Sequence, residues 1–405
     1  MSRKILLLII IFLALAIVGF VVYIFVKEDV SISSIPAVSR FFPEAEPEQP
    51  KDESGINGEN SSNTASTIIG IAENGEKNQK PALIQLTNKV IGGAAFIKEN
   101  ETVRFIEKST GHLYEISPQG DNLIRLSNTT IPNVFEVFWS TDGKNAVLRY
   151  SKDNKINNFL ANFTGSTTDG MFLPENIISV LLPENNEKIY YAQKNNSTGS
   201  VVESDFKLKN KRHIFSSSFT DFILIPEGKS YIGLLTKPSF FSNGYLYSLN
   251  TATKNYTKAL ENIPGLNALW SKDGEKIFYS ESSSENIIQN KILDTTNKKE
   301  LNLGVKTFPE KCVWSNLDKN TLYCSFPTNL TRGEYPDDWY KGLIQFNDEL
   351  WKINYKTGET SVLSGPEQIR QKNLDIINLF LSEKEEFLFF TNKKDGSLWS
   401  LKLGF

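Results

Sequence analysis

Beyond Lys80 the chain alternates between short apolar segments and polar stretches that contain Gly, Asn, Asp or Pro. No segment there keeps its apolar residues at the three-to-four-residue spacing of an amphipathic helix. Short runs of alternating or apolar residues between turn-forming residues are typical of β-strands. The pattern therefore predicts an all-β domain.

The strand pattern also repeats along the chain. Stretches such as "VFWSTDGKNAVLRY", "ALWSKDGEKIFYSE" and "LFLSEKEEFLFFTN" align on one marker position. Across seven units this position is occupied by Phe96, Trp139, Leu182, Ile225, Trp270, Trp314 and Leu381. The first six markers are spaced by 43 to 45 residues and the last follows after 67, so the sixth unit carries an insertion of about twenty residues.

Each unit contains four predicted strands in about 43 residues, which is the size of one blade of a β-propeller. The last unit stops at Phe405 after its third strand. The segment "LIQLTN", residues 83–88, matches "LIRLSN", residues 123–128, which is the outer strand of the first unit. We therefore expect 83–88 to complete the last blade and to close a seven-bladed β-propeller within residues 81–405, with six or eight blades as alternatives.

Two of the turns carry a distinctive motif. The sequences "WSTDGKNAVLRY" and "WSKDGEKIFYS" resemble the TolB-type and WD-like propeller repeat, whose signature is Trp-Ser-x-Asp-Gly-Lys before an apolar strand. The residues that carry the resemblance are Trp139, Asp142, Gly143, Trp270, Asp273, Gly274 and, without the glycine, Trp314. The resemblance implies a rigid extracytoplasmic platform for protein partners, although the α/β domain that precedes the TolB propeller has no counterpart here.

An unbroken apolar run, residues 5–26, precedes the repeats. At 1.5 Å per residue, a helix of this length crosses the roughly 30 Å hydrocarbon core of a lipid bilayer. Arg3 and Lys4 favour a cytoplasmic N-terminus and an extracytoplasmic propeller. We therefore expect residues 1–27 to form a single-pass signal-anchor helix in the cell membrane. A signal peptide cleaved near Ala16 is the alternative.

Residues 28–80 are rich in Pro, Glu, Ser, Asn and Gly and contain few large apolar side chains, which predicts a flexible linker. This segment is acidic, with ten acidic and four basic residues. Since the whole chain has a formal net charge of -3 and residues 1–27 contribute three positive charges, the remaining propeller is neutral. A neutral domain argues against nucleic acid as a partner, because binding it requires concentrated Lys and Arg.

Few residues have the chemistry of a catalytic or metal site. Ser140 and Asp142 lie two residues apart, but a serine nucleophile needs a base within hydrogen-bond reach. The two histidines, His112 and His213, fall in different units, and the histidines and two cysteines lack the spacing of a metal site. The sequence therefore favours a non-enzyme that has no metal and no cofactor.

Cys312 and Cys324 lie at equal distances from a predicted turn near Asp318. In an antiparallel hairpin they would lie opposite each other and could form a disulfide outside the cytoplasm. Two buried, reduced cysteines are an equally good interpretation, because a shift of one residue in register would place them on opposite faces.

The insertion in the sixth unit, residues 326–349, is the best candidate for a binding site. Its aromatic and charged residues have the composition of a binding hot spot, and they include Arg332, Tyr335, Asp338, Trp339, Tyr340 and Lys341. The fourth unit sends residues 236–244 to the same face of the propeller and adds Phe240 and Phe241. The alternative is that these aromatic residues fold down as a plug over the central channel.

Three functions are compatible with these features. We expect a membrane-tethered, non-catalytic propeller that acts as a protein-interaction or assembly scaffold, with a protein partner on its propeller face. The alternative is a cell-surface sensor or carbohydrate-binding module in which the insertion 326–349 stacks against sugars. An enzyme is the least favoured function, because the catalytic groups are missing. The oligomeric state stays open.

Overall fold

The computed structural model describes residues 82–163, 168–183, 188–282, 288–363, 369 and 371–404. These residues form 28 strands, which are arranged in seven antiparallel sheets of four strands each. The expected all-β, seven-bladed propeller is therefore confirmed. No helix in this part of the chain is long and apolar enough to span a bilayer, and the predicted anchor and linker lie outside it.

The blades follow one another in chain order. Blade 1 consists of β2 (Ile91–Ile97), β3 (Thr102–Glu107), β4 (Leu113–Ile116) and β5 (Ile124–Arg125). Blade 2 consists of β6 (Val134–Trp139), β7 (Asn145–Lys152), β8 (Lys155–Asn162) and β9 (Asp169–Phe172). Blade 3 consists of β10 (Ile177–Leu181), β11 (Lys188–Asn195), β12 (Thr198–Asp205) and β13 (Arg212–Ser217). Blades 4 and 5 consist of β14 (Phe222–Glu227), β15 (Tyr231–Thr236), β16 (Asn243–Asn250) and β17 (Tyr256–Pro264); and β18 (Asn267–Trp270), β19 (Lys276–Ser282), β20 (Ile288–Asp294) and β21 (Glu300–Asn302). Blades 6 and 7 consist of β22 (Cys312–Trp314), β23 (Thr321–Pro327), β24 (Asp348–Asn354) and β25 (Glu359–Val362); and β26 (Ile376–Leu381), β27 (Phe387–Asn392), β28 (Leu398–Lys402) and β1 (Leu83–Thr87).

The ring is closed by strands that are far apart in the sequence. β1 pairs antiparallel with β28, with Leu83 opposite Leu401 and Ile84 opposite Ser400, and is the outer strand of the seventh blade. The inner strands β2, β6, β10, β14, β18, β22 and β26 are edge strands of their sheets, and β2 contacts both β6 and β26. The first and last blades are thus neighbours around the axis.

Apolar residues fill the spaces between blades. One cluster joins blades 3 and 4 and contains Ala192 and Val201 from one blade and Leu234 from the other. The next cluster joins blades 4 and 5 and includes Leu235 and Ile277. Because each sheet buries its apolar faces against its neighbours, every blade depends on the blades beside it for its stability.

The repeat motif forms the turn between the first two strands of a blade. Ser140 is fully buried, and its hydroxyl donates a hydrogen bond to Asp142 Oδ1 at 2.6 Å. Gly143 has a φ of 63°, which favours glycine. The same turn recurs after Trp270, where the Ser271 hydroxyl donates to Asp273 Oδ1 at 2.6 Å. Ser140 and Asp142 are therefore turn residues.

In the seventh blade a glutamate takes the place of the turn glycine. Glu385 is buried, with a φ of 58°. Its carboxylate accepts hydrogen bonds from the hydroxyls of Ser315 and Tyr323 in the sixth blade, both at 2.6 Å. The strained position thus carries a side chain that connects two blades.

Cys312 and Cys324 form a disulfide between β22 and β23, where they pair directly across the sheet. Both residues are buried in the cluster between blades 5 and 6. The bond holds together the hairpin from which the insertion starts, and it reduces the conformational freedom of the unfolded chain.

The buried carboxyl of Glu227 should make the stability of the folded protein depend on pH. The residue ends β14, is 7% exposed, and accepts a hydrogen bond from Ser248 Oγ at 2.5 Å. Burial raises the pKa of Glu227 from 4.5 to about 7. Because the folded state then holds the proton more tightly than the unfolded state, the free energy of unfolding should fall by roughly 3 kcal/mol as the pH rises through this range.

We expect Glu227→Gln to remove this fall, so that the variant is more stable than the parent protein at pH 8 and equally stable at pH 4. Urea unfolding across the pH range measures the difference. Glu175→Gln, at an exposed glutamate, is the control and should retain the parental pH profile. An unchanged pH profile in Glu227→Gln would contradict the assignment.

Candidate functional site

The links between blades and the loops between second and third strands lie on one face of a propeller, which we call the top face. Three such segments carry the candidate site: the 3₁₀ helix Pro309–Lys311, the insertion 328–347 and the loop 237–242. The insertion contains one short helix, α1 (Asp337–Tyr340). The predicted bounds 326–349 thus include two residues of each flanking strand.

Two aromatic residues of the insertion fold down against the blades. Tyr335 is 0% exposed and Trp339 is 2% exposed. The Trp339 ring stacks on Phe308, with ring centroids 4.9 Å apart, and Phe346 packs against both. Tyr335 and Trp339 are therefore packing residues, which corrects the expectation that they form an exposed surface for a partner or a sugar.

A buried charge network anchors this aromatic cluster. Lys311 is fully buried, and its Nζ lies 2.6 Å from Asp348 Oδ2 and 2.7 Å from Asp375 Oδ1. It also donates a hydrogen bond to the carbonyl of Ile376 at 3.0 Å. Trp339 Nε1 donates to Asp375 Oδ2 at 3.1 Å, which fixes the indole over the network. Burial, with the neighbouring charge of Asp375, raises the pKa of Asp348 against the opposing effect of Lys311.

Tyr340 and Glu310 form a hydrogen-bonded pair suited to proton transfer. Tyr340 is 39% exposed; its hydroxyl donates to Glu310 Oε1 and accepts from Asn267 Nδ2 at 3.2 Å. Glu310 Oε2 is buried and has no hydrogen-bond partner among the described residues. Burial raises the pKa of the Glu310 carboxyl, and burial and the charge of Glu310 raise the pKa of Tyr340. Glu310 is thus a stronger base than an ordinary carboxylate.

Two lysines lie next to α1, the short helix that contains Tyr340. Lys341 follows Tyr340 and is exposed, with its Nζ 6.0 Å from the centroid of the Phe241 ring and no carboxylate partner in the described part of the chain. Lys393 donates to the carbonyl of Trp339 at 2.8 Å, and burial lowers its pKa. A cation without an ion partner next to a proton-transfer pair suits an anionic ligand.

Asp337 joins the insertion to the fourth blade. Its carboxylate accepts hydrogen bonds from the Ser239 hydroxyl at 3.1 Å and from the backbone N–H of Phe240 at 2.6 Å. Phe241, beside them, is exposed. The structure therefore brings the loop with Phe240 and Phe241 to the surface that carries Tyr340 and Lys341.

The remaining predicted residues, Asp338 and Arg332, lie within the insertion itself. Asp338 accepts a hydrogen bond from the backbone N–H of Glu334 at 2.8 Å, and Arg332 is exposed. Glu310 and Asn267 were not predicted from the sequence. Neither belongs to a motif, and they reach Tyr340 from positions just before β22 and at the start of β18.

No protein-family model matches the chain, and no curated protein matches it significantly. Among solved structures 1086 chains match, so the fold is widely shared. An oligogalacturonate lyase from Vibrio parahaemolyticus matches at 13% identity and a TM-score of 0.56, over 79% of this chain and 93% of that chain. An oligogalacturonate lyase in complex with manganese matches at 13% identity and a TM-score of 0.54, over 80% of this chain and 93% of that chain. The tricorn protease matches at 12% identity and a TM-score of 0.54, over 81% of this chain and 35% of that chain.

These matches contradict the interpretation of the chain as a non-catalytic scaffold and non-enzyme, because two of the similar structures are lyases. That interpretation depended on the absence of a hydrolase constellation and of metal-site spacing, which does not exclude other chemistry. At 13% identity the likeness shows the fold alone, so any activity of this chain has to be argued from its own residues.

The manganese in one of these lyases prompts a comparison with the donor groups of this chain. Among the described residues, no three His, Cys, Asp or Glu side chains gather where they could hold a metal ion. His112 and His213 lie in blades 1 and 3, and both cysteines are bonded to each other. The described donor set does not fit manganese, and we derive the chemistry of the site from side chains alone.

Trp339 and Tyr340 are adjacent, but we expect substitutions there to have different effects on stability. Trp339→Ala removes a buried ring and a hydrogen bond to Asp375, which should lower the free energy of unfolding by about 3–5 kcal/mol. Tyr340→Phe keeps the ring and removes one partly exposed hydroxyl, which should cost about 1 kcal/mol. Urea unfolding measures both values, and equal losses would contradict the assigned roles.

Proposed function

We propose that the chain is a propeller enzyme that cleaves an acidic oligosaccharide by elimination on its top face. The observation that carries this proposal is the Tyr340–Glu310 pair, in which the hydroxyl of a partly exposed tyrosine is hydrogen-bonded to a carboxyl with a raised pKa. The names of the similar structures, which are oligogalacturonate lyases, support this class of substrate.

The proposed reaction needs a base and no external oxidant. In a chain of uronic acids, a base removes the proton from the carbon beside the carboxylate. The bond from the next carbon to the glycosidic oxygen then breaks, a carbon–carbon double bond forms, and the leaving oxygen takes a proton from water. Tyr340 is the group that a substrate can touch, since Glu310 Oε2 is buried. Tyr340 therefore receives the substrate proton as its own proton passes to Glu310.

Lys341 has a separate role in this proposal. Its ammonium is exposed, lies next to Tyr340 in the sequence and has no carboxylate partner among the described residues. A uronate carboxylate bound to this ammonium loses part of its negative charge, which makes the neighbouring carbon–hydrogen bond more acidic. The same contact would favour acidic over neutral sugars at this site.

We also propose that the propeller works outside the cytoplasm and is held at the membrane by residues 5–26 through the linker 28–80. The apolar length of 5–26 and the preceding Arg3 and Lys4 support this orientation. The disulfide between Cys312 and Cys324 fits an oxidising compartment. The repeat motif resembles the TolB type, and we propose that the propeller is related to that type. Such a relationship agrees with an extracytoplasmic location.

Activity can be measured on oligogalacturonates and other uronic-acid oligosaccharides through the ultraviolet absorbance of the new double bond. We expect Tyr340→Phe and Glu310→Gln to lower kcat about 10²–10⁴-fold, because each removes one half of the proton-transfer pair. Lys341→Met should mainly raise KM. Since Glu310 must be ionised to accept a proton, kcat should rise with pH through an apparent pKa above 4.5, and Glu310→Gln should lack this rise.

Tyr231→Phe is the matched control, because Tyr231 is an exposed tyrosine of the fourth blade outside the site, and it should retain the parental kcat. Full activity of Tyr340→Phe would overturn the assignment of the proton-transfer pair. Release of new reducing ends without ultraviolet absorbance would show hydrolysis and exclude elimination.

Membrane attachment is tested by a charge in the middle of the apolar segment. Leu15→Arg should lower the amount of protein that stays in the membrane fraction after an alkaline wash, because a charged residue at a helix centre costs about 2.5–3.5 kcal/mol on insertion. Ser33→Arg, in the linker, should have no effect. Parent protein that is recovered wholly in the soluble fraction would refute the anchor.

A further inference from the structure

A groove between blades 3 and 4 has the features of a second ligand site. A cavity of about 530 Å³ opens there and is lined by six aromatic side chains, namely Phe215, Phe219, Phe222, Tyr245, Tyr247 and Tyr256. This volume lies within the roughly 300–1,000 Å³ that is usual for small-molecule sites. We propose that this groove, which we call the aromatic groove, binds the uncharged rings of an oligosaccharide.

The exposed aromatic rings of the groove are held in place by neighbouring rings. Phe219 is 45% exposed and stacks on the buried Phe222, with ring centroids 6.1 Å apart. Tyr256 is 56% exposed and packs edge-on against Phe215 at 5.4 Å. Such pre-positioned rings lose little conformational freedom when a ligand binds.

Tyr245 and Tyr247 lie two residues apart on β16, so their side chains share one face of the strand. Their rings are stacked, with centroids 6.4 Å apart and planes 20° from parallel. An aromatic face carries partial negative charge and attracts the weakly positive C–H groups on the flat face of a pyranose ring. A row of such faces suits consecutive sugar rings.

Polar groups without partners line the same groove. In the described part of the chain, the Asp221 carboxylate and the Lys237 ammonium have no charged partner. The hydroxyls of Tyr245, Tyr247 and Tyr256 make no hydrogen bond to the protein there. The groove therefore offers hydrogen-bond donors and acceptors beside its apolar faces, which is the combination that a polyhydroxylated ring requires.

Other ligand classes fit the aromatic groove less well. A purely apolar ligand would cover Asp221, Lys237 and the phenol groups without satisfying them, which costs about 1–3 kcal/mol for each buried polar group. A phosphate or nucleic acid would find one lysine and one aspartate, and therefore no surplus of positive charge. Neutral sugar rings would pack on the aromatic faces and also form hydrogen bonds with the polar groups.

The aromatic groove and the Tyr340 site share one loop. Lys237 and Ser242 of the loop 237–242 line the groove, while Ser239 and Phe240 of the same loop are bound by Asp337 in the insertion. The inference rests on the proposed function for its class of ligand. It deepens that proposal, since a substrate that reaches both sites carries neutral as well as acidic sugars.

Binding is measured by calorimetry with neutral gluco-, manno- and xylo-hexasaccharides on the full chain that carries Tyr340→Phe, in a detergent without a sugar headgroup. At least one hexasaccharide should bind, and Phe219→Ala and Tyr256→Ala should each raise its Kd at least tenfold. Phe172→Ala and Tyr231→Ala remove exposed aromatic rings outside the groove and should leave the Kd unchanged. Melting temperatures of all variants show whether the fold is kept.

Absence of binding by any of these hexasaccharides would overturn the inference, as would binding that the two groove substitutions leave unchanged. Elimination activity is measured separately in the chain with an intact Tyr340. If that activity is absent while groove binding persists, the proposed reaction fails and the groove assignment stands.

Discussion

The top face of this propeller depends on one buried cation. Lys311 is removed from water, which costs several kcal/mol unless the ammonium is paired and hydrogen-bonded. Asp348, Asp375 and the carbonyl of Ile376 supply the three acceptors that it needs. Asp375 and Ile376 belong to the seventh blade, and Asp348 starts β24 directly after the insertion. A single side chain from the link between blades 5 and 6 therefore holds two other segments in place. Loss of Lys311 would leave Asp348 and Asp375 close together in the core without a cation.

The position of the candidate site follows from this network. The insertion has no sheet of its own, and Trp339 attaches it to the blades through the contact with Asp375 and the stacking on Phe308. The next residue, Tyr340, is thereby held with its hydroxyl between Asn267 and Glu310. Because Glu310 directly precedes Lys311, both ends of the proton-transfer pair are positioned by the same buried cation.

The blades could be predicted because their signal is local. Ser140, Asp142 and Gly143 make their turn within a few residues, and the same chemistry returns at the same spacing. Glu385 is an example of a role that the local pattern does not predict. In the sequence it looks like a motif that has lost its glycine, but its side chain forms hydrogen bonds with the neighbouring blade. A hydrogen bond between two blades has no counterpart in the spacing of residues along the sequence.

The candidate site could be predicted only in part. The composition of the insertion indicated the correct region of the chain, and an aromatic plug and a binding surface have the same composition. Burial alone separates Trp339 from Tyr340, and burial is a property of the folded ring. Glu310 and Asn267 carry no signal because they meet Tyr340 only after blades 5 and 6 have packed together. The non-enzyme interpretation considered only a serine nucleophile with its base and a metal site, and a pair such as Tyr340 and Glu310 belongs to neither class.

Ring closure pairs the first strand of the propeller to be synthesised with the last one. The ribosome makes β1 before any other strand of the propeller and β28 after all of them, yet the two are partners in one sheet. Until 26 intervening strands have emerged, β1 has an edge without its mate, and unpaired edges invite wrong pairing. The edge of "LIQLT" that pairs with β28 thus stays without its native partner until the last strand of the propeller has been made.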